Sequence, residues 1–359
     1  MNVAALTDHP NTPSSRFRIR QYIPALAEHG IAVTDHPRAY SSQTAADPSG
    51  RRRIRHSIDL LPRALVHEAR NVAGRLSDVI AANRYDAIWL SRQLIVGYPS
   101  FERFIRKPLV LDIDDAVFLG GALARYQFRS TACRAAAVIA GNEYLADEAR
   151  KYNRNVHLVP TGVDISRWRP MRPYSPDRSD ATESFRIGWS GASTSFQYFE
   201  SIQEVLISFV LAHRPAAKLL MMSDRFPHKL RELKEHISYV PWTPETEVSF
   251  VQSLDVGLMP IADDPWSRGK CAYKLLLYAA CGVPVVASPY GMNAEVLAQA
   301  DMGFGPRSPA DWYESLESLY GDRALGAAKG ARGAELVMRR YSTNVLCPEI
   351  AGILRASCA

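Results

Sequence analysis

Apolar residues follow two alternating patterns along this chain: short, mostly apolar runs, and longer stretches in which they recur every third or fourth position. Residues 2–6, 31–33, 85–90, 108–113, 135–140 and 156–159 are such runs, and so are 185–189, 217–223, 237–242, 255–261 and 283–287. Runs so rich in apolar residues, of which 283–287 is continuous, predict strands of a parallel sheet covered on both faces. Segments 16–28, 58–82, 144–151, 195–212, 245–254 and 270–281 have helical spacing, and a further helix opens at 289–295. His29-Gly30 and Gly282 are helix stops. The tail, 311–359, reads as helical with breaks at Gly330, Tyr341-Ser342 and Pro348. Alternation of strand and helix through both halves predicts α/β architecture built from βαβ units, in two Rossmann-like domains. Residues 166–184, rich in Pro, Arg, Ser and Asp, read as the linker, with the boundary near residue 164.

The stretch 255–295 is the most informative. It reads as strand, loop, helix, strand, loop, helix, and such a unit brings the helix start to the carboxyl end of the sheet, where ligands bind. Lys270, Lys274, Leu277 and Cys281 are spaced to share one helix face, and the other faces are apolar. Arg268 and Lys270 fall at the helix start, where the macrodipole disfavours cations. A bound phosphate would resolve that conflict. The alternative is that these cations reach solvent or pair with Asp263 and Asp264.

Two other groups carry candidate chemistry. Asp112, Asp114 and Asp115 close the strand 108–113, at the carboxyl end of a central strand. They are placed either to orient ligand hydroxyls or to cap the next turn. After strand 185–189, the small residues Ser190 to Thr194 precede a helix, and Ser193 or Thr194 can cap it while offering N–H groups to phosphate. Trp242, after strand 237–242, is either a stacking platform or a packed core residue.

Composition narrows the class. A chain of 359 residues with 47% hydrophobic and 22% charged content can bury two cores. No apolar run approaches a bilayer span, and the first residues lack a basic, long apolar leader. Five scattered cysteines without a CxxC pair suggest a reducing compartment, with neither a disulfide framework nor a zinc site. The net charge of +6 is uneven: residues 1–163 carry +7 and residues 164–359 carry −1. A basic first half suits an acidic acceptor or an anionic membrane surface. The cluster Arg51–Arg53 with Arg55, beside the amphipathic stretch 58–82, is the segment expected to serve there. Nucleic acid is not expected, for want of a binding module.

The segment Asp264-Pro265-Trp266-Ser267-Arg268-Gly269-Lys270-Cys271, followed by Gly282-Val283-Pro284-Val285-Val286, resembles the nucleotide-binding core of retaining, family-4-like GT-B glycosyltransferases. Many members carry two glutamates before the Gly-x-Pro-Val-Val end; those positions are Gly269 and Leu277 here. Pro160-Thr161-Gly162-Val163-Asp164 resembles the hinge segment of the same family. The resemblance implies a GT-B fold: two doubly wound domains facing a cleft, 1–163 for the acceptor and 164–340 for the nucleotide sugar, with 341–359 crossing back to the first. It implies that Asp114, Asp115, Arg268, Lys270 and Lys274 serve catalysis. Ser15, Arg16, Gly191, Ser193, Thr194, Trp242, Gly291, Met292 and Asn293 would hold the donor. The activity implied is metal-independent transfer of a hexose, with retention, from a UDP- or GDP-linked donor to a glycan, lipid-linked or small-molecule acceptor. No resident cofactor is expected, and the setting is cytoplasmic polysaccharide synthesis, peripheral on the inner membrane face. A nucleotide-sugar epimerase of the same fold and a non-catalytic binding partner are the competing readings.

Overall fold

The computed structural model describes residues 1–38, 70, 72–95, 100–171, 184–228, 230 and 232–358. The Arg51–Arg55 cluster and most of the stretch 58–82 lie outside them. The chain forms two compact units, Met1–Gly162 with Thr343–Ala359, and Val163–Ser342.

The first unit holds a six-stranded sheet in the order β2-β1-β3-β4-β5-β6. Its strands are β1 (Asn2–Thr7), β2 (Ala32–Pro37), β3 (Ala87–Ser91), β4 (Leu109–Ile113), β5 (Ala137–Ala140) and β6 (Val156–Leu158). Every pairing is parallel. β3, β4 and β5 are buried at every residue, which explains why they are apolar except for Ser91 and Asp112 near the strand ends. The last helix, Thr343–Ala356, supplies Leu346, Ile350 and Leu354 to the core that also holds Val3, Tyr22 and Trp89.

The second unit repeats the plan in the order β12-β11-β10-β7-β8-β9. Here the strands are β7 (Phe185–Ser190), β8 (Ala217–Ser223), β9 (Ile237–Pro241), β10 (Val256–Met259), β11 (Val285–Ala287) and β12 (Gly303–Phe304). These pairings are also all parallel. The strand order reverses between β7 and β10, so a crevice opens at their carboxyl ends.

Several expected helices have different bounds. The stretch 16–28 is a π-helical turn (Ser15–Ile19), a 3-10 turn (Arg20–Tyr22) and an α-helix (Ile23–Glu28). Pro24 lacks the N–H that would continue one helix through this point. The stretch 195–212 is a 3-10 helix, Ser193–Phe199, then an α-helix, Gln203–Ala212. Phe196 and Phe199 are eclipsed at the 3-10 repeat, and both pack on Trp189. Gly330 breaks nothing: the helix Arg323–Leu336 runs through it, and the glycine serves close approach, since a Cβ there would lie 1.9 Å from the carbonyl oxygen of Gly282. Pro348 likewise lies inside Thr343–Ala356.

Candidate functional site

In the second unit the crevice is set by the helix Tyr273–Ala280. It lies directly on β10 at Gly257, where a Cβ would come within 2.4 Å of the Tyr278 ring. The Tyr278 hydroxyl then accepts a hydrogen bond from the Ser190 N–H at the end of β7, 2.9 Å away. Burial pushes that phenol well above its ordinary value, so it stays neutral. The helix is thereby tied to both strands of the switch point. One turn nearer its start, the Lys274 ammonium stands 5.0 Å over the Trp189 ring. A Cβ on Gly191 would lie 2.7 Å from Lys274 Nζ, so only glycine lets the loop after β7 approach that ammonium. Gly191 and Lys274 are thus brought together.

Lys270 is not on this helix. Pro265–Arg268 is itself a short helix, capped by the Asp264 carboxylate accepting from the Ser267 N–H at 2.7 Å. The chain then pauses, and Ala272 takes a left-handed conformation, φ 48°, before the next helix starts at Tyr273. Lys270 therefore shares no helical face with Lys274; its ammonium lies 5.7 Å over the Trp266 ring. Arg268 makes the expected alternative contact, donating to Asp263 at 2.9 and 3.0 Å. Leu277 is 9% exposed, so it belongs to the buried side of the helix rather than to a ligand-facing stripe. Gly291 has φ 50°, and a Cβ on it would stand 3.0 Å from Arg268 Cα. The Gly291–Asn293 turn therefore rests on the end of the Arg268 helix. Met292 and Asn293 are buried, and the Asn293 amide donates to the Ser288 carbonyl at 3.1 Å. What this turn can offer a ligand is main chain.

Ser193 departs from expectation. Its N–H and hydroxyl both donate to Asp224, at 2.6 and 3.0 Å, and no side chain caps the 3-10 helix it begins. Neither group is open to a phosphate while Asp224 holds it. Thr194 is exposed. Trp242 is half-buried beyond β9, and its indole N–H donates to Glu247 at 3.1 Å. Glu247 is itself held by Arg167 at 3.0 Å, which fixes the ring.

In the first unit, the carboxyl ends of β3 and β4 carry paired charges. Arg92 donates to Asp114 at 2.6 Å and to Asp115 at 2.5 Å. Burial works to raise the Asp114 carboxyl, but Arg92 outweighs it and holds the group below the usual carboxylate range. Neither aspartate caps a helix with its side chain. Asp112 is buried and accepts from Arg18 at 2.7 Å and from the Trp89 indole at 3.2 Å. Burial pushes the Asp112 carboxyl up, against the pull of Arg18. Ser15 is fully buried, so its hydroxyl does not face solvent. Arg16 is half-buried, its guanidinium 4.6 Å from the Phe17 ring.

Arg92, Arg18, Tyr278, Asp224 and Glu247 were missed by sequence reasoning. For Arg92 a signal existed: it is the first charge after a largely apolar strand, at the edge where ligands bind. Arg92 and Ala272 are also the only non-glycine residues with positive φ among the described residues, and each sits at the carboxyl end of its own sheet.

Residues 193–322, which contain most of the second crevice, match the model of the glycosyl transferases group 1 family. No curated protein matches the chain in sequence. Three solved structures are similar over its whole length. HepE from Anabaena has 14% identity, a TM-score of 0.65 and 99% coverage of each chain. Sucrose-phosphate synthase from Thermosynechococcus elongatus has 15% identity, a TM-score of 0.70, and coverage of 99% of this chain and 98% of its own. WaaG, a glycosyltransferase involved in lipopolysaccharide biosynthesis, has 14% identity, a TM-score of 0.65 and 99% coverage of each chain. The group 1 glycosyl transferase model thus matches one continuous segment of the second unit, and the fold of the chain is that of the GT-B structures.

Proposed function

We propose that this chain transfers a sugar from a UDP-linked donor to a hydroxyl of an acceptor, with retention of configuration and without a metal ion. The observation that carries the reading is the Gly191–Lys274 approach at the β7–β10 switch point, with Lys274 inside the segment that matches the family and Gly191 just before it. The donor diphosphate would lie against Lys274 and the main chain around Gly191 and Gly291, with Arg268 and Lys270 nearby in sequence. The structures of HepE with UDP and with UDP-glucose support the choice of base.

Breaking the bond from the anomeric carbon to the diphosphate leaves an electron pair, and a growing charge, on the nucleotide. Cations and N–H groups fixed beforehand stabilise that charge without reorganising. The acceptor oxygen bonds to the anomeric carbon on the same face, and its proton passes to a donor phosphate oxygen. Asp114 and Asp115, held ionised by Arg92, would accept hydrogen bonds from hydroxyls of an acceptor bound to the first unit.

The test is titration with UDP-, GDP-, ADP- and dTDP-sugars, then nucleotide release with and without acceptor, in EDTA. UDP release that requires acceptor supports transfer. Release without acceptor would favour an epimerase, and binding without release a non-catalytic partner. Loss of activity in EDTA, restored by Mn²⁺, would overturn the metal-independent mechanism.

A further inference from the structure

The second unit holds an open cavity of about 880 Å³ at the end of its sheet opposite the Gly191–Lys274 crevice. It is lined where the strands begin: Phe185 opens β7, Asp255 precedes β10, and Val283 and Pro284 precede β11. Every lining residue lies within Val163–Ser342. Trp168, Phe185, Leu254, Val283, Leu319 and Met338 make the walls largely apolar. A volume of that order, apolar with a few charged groups, is what small-molecule sites have. One long wall is a single helical stretch, with Arg323, Gly326, Ala331, Ala334 and Met338 facing the cavity. The helical rise from Arg323 to Met338 is roughly 20 Å. The same helix packs closely elsewhere: a Cβ on Gly330 would lie 1.9 Å from the Gly282 carbonyl oxygen, and one on Gly333 3.2 Å from Ala279 Cβ. The space is therefore not a sign of loose packing along that helix.

The two ends of that wall differ in charge. At one end Arg186 and Arg323 bracket Asp255, which accepts from the Arg186 main-chain N–H at 2.8 Å and stands 3.6 Å from the Arg323 guanidinium. Arg323 also lies 4.3 Å over the Phe185 ring. Two guanidiniums thus stand against one carboxylate, and the start of the helix Arg323–Leu336 adds positive potential. At the other end Glu335 is matched by Arg339, 2.7 Å away. Arg169, a third cation of the lining, is exposed. Met171 and Met338 line the cavity while 61% and 53% exposed, a rim whose unbranched thioethers fit varied apolar shapes. We propose that this cavity binds an elongated amphipathic monoanion, its acidic head at Arg186 and Arg323 and its apolar body along the wall toward Met338. The surplus positive charge selects an anion, and the apolar length selects a chain rather than a compact phosphate.

The experiment is fluorescence titration of the full chain with anilinonaphthalene sulfonate, then displacement by decanoate, decanol and decyltrimethylammonium below their micelle concentrations. Expected is one saturable site per chain. Decanoate should displace the probe at about tenfold lower concentration than decanol, the worth of a charge-assisted contact, and the ammonium should be weakest. Ala331→Trp, at an exposed position of the lining, should fill the space and abolish binding. Arg186→Gln should weaken decanoate about tenfold and leave decanol unchanged. Met338→Glu, also exposed, should weaken decanoate more than decanol, and it replaces Ala331→Trp if that variant does not fold. Leu123→Ser, at a position 62% exposed in the first unit, should change nothing. Melting temperature checks that each variant is folded. The proposal is overturned by the lack of a saturable site, or by decanol or the ammonium displacing the probe as readily as decanoate. It is also overturned if folded Ala331→Trp or Arg186→Gln keeps wild-type affinity. Displacement of the probe by UDP would overturn it too, by putting the probe in the opposite crevice. Sugar transfer is not part of the readout, so its failure is a separate result.

Discussion

Arg92 holds Asp114 and Asp115 at once, from a backbone with φ 60°. A left-handed conformation costs a side-chain-bearing residue about 1–2 kcal/mol, and two ion pairs offset it. Removing the cation should therefore expose the burial that Arg92 now opposes. Asp114 has a depressed carboxyl in the folded protein, so it adds stability above the unfolded carboxylate value, and that stability disappears as pH falls through the folded value. In Arg92→Ala the sign reverses: burial raises Asp114, and acidification relieves the unpaired charge. The expected loss near neutral pH is about 3 kcal/mol, shrinking toward pH 4. Arg92→Gly should recover the strain energy but not the charge. Thermal melting against pH for the three proteins checks this; parallel curves would sink it.

Gly191→Ala places a Cβ 2.4 Å from Lys274 Cε and 2.6 Å from Trp189 Cζ2. Lys274 can swing aside, but the buried Trp189 cannot. A loss of roughly 1–3 kcal/mol from overpacking is expected, together with weaker UDP binding because the ammonium is displaced. Calorimetric titration on the folded variant measures the second effect. UDP affinity equal to wild type would mean that Lys274 is not part of the donor site.

Lys274→Ala should leave the melting temperature within a few degrees of wild type, since its aromatic contact is worth only about 0.5–1 kcal/mol at a half-exposed site. UDP affinity should fall about ten- to a hundredfold, the loss of one charge-assisted contact. Turnover should fall further than affinity, because charge on the leaving diphosphate grows toward the transition state. Lys274→Arg should recover only part, its broad fork having to pass Gly191 and Trp189. Large thermal destabilisation with unchanged affinity would make Lys274 a structural residue.

The cysteines should divide by burial. Cys133 and Cys358 are exposed, whereas Cys271, Cys281 and Cys347 are buried. Burial pushes the Cys281 thiol up to about 12, far from the thiolate that reacts. Ellman's reagent should titrate two thiols in the native protein and all five after denaturation. Rapid reaction of a third native thiol would contradict the packing around the Tyr273–Ala280 helix, for Cys271 or Cys281, or that of the Thr343–Ala356 helix, for Cys347.

The sheets were legible because β3, β4 and β5 are covered on both faces, and such strands are written almost wholly in apolar residues. Helix boundaries were less so. Nothing in the letter Ala marks position 272 as left-handed, so one helix was drawn through Lys270. Gly330 looked like a stop but is a glycine of close approach, and the atom that requires it, the carbonyl of Gly282, is distant in sequence. Side-chain partners were least legible of all. Asp224 holding Ser193 and Arg92 holding Asp114 span 31 and 22 residues, and only the folded sheet brings them together.

The first unit is assembled from both ends of the chain, Met1–Gly162 and Thr343–Ala359, whereas the second is one continuous stretch. A ribosome therefore releases all of the second unit before the first has its final helix. Until Leu346, Ile350 and Leu354 emerge, the apolar surface of Val3, Tyr22 and Trp89 waits uncovered. Shortening the chain from its carboxyl terminus should thus damage the half that was made first. The middle stretch, by contrast, carries its whole core within itself and is the natural fragment to produce in isolation.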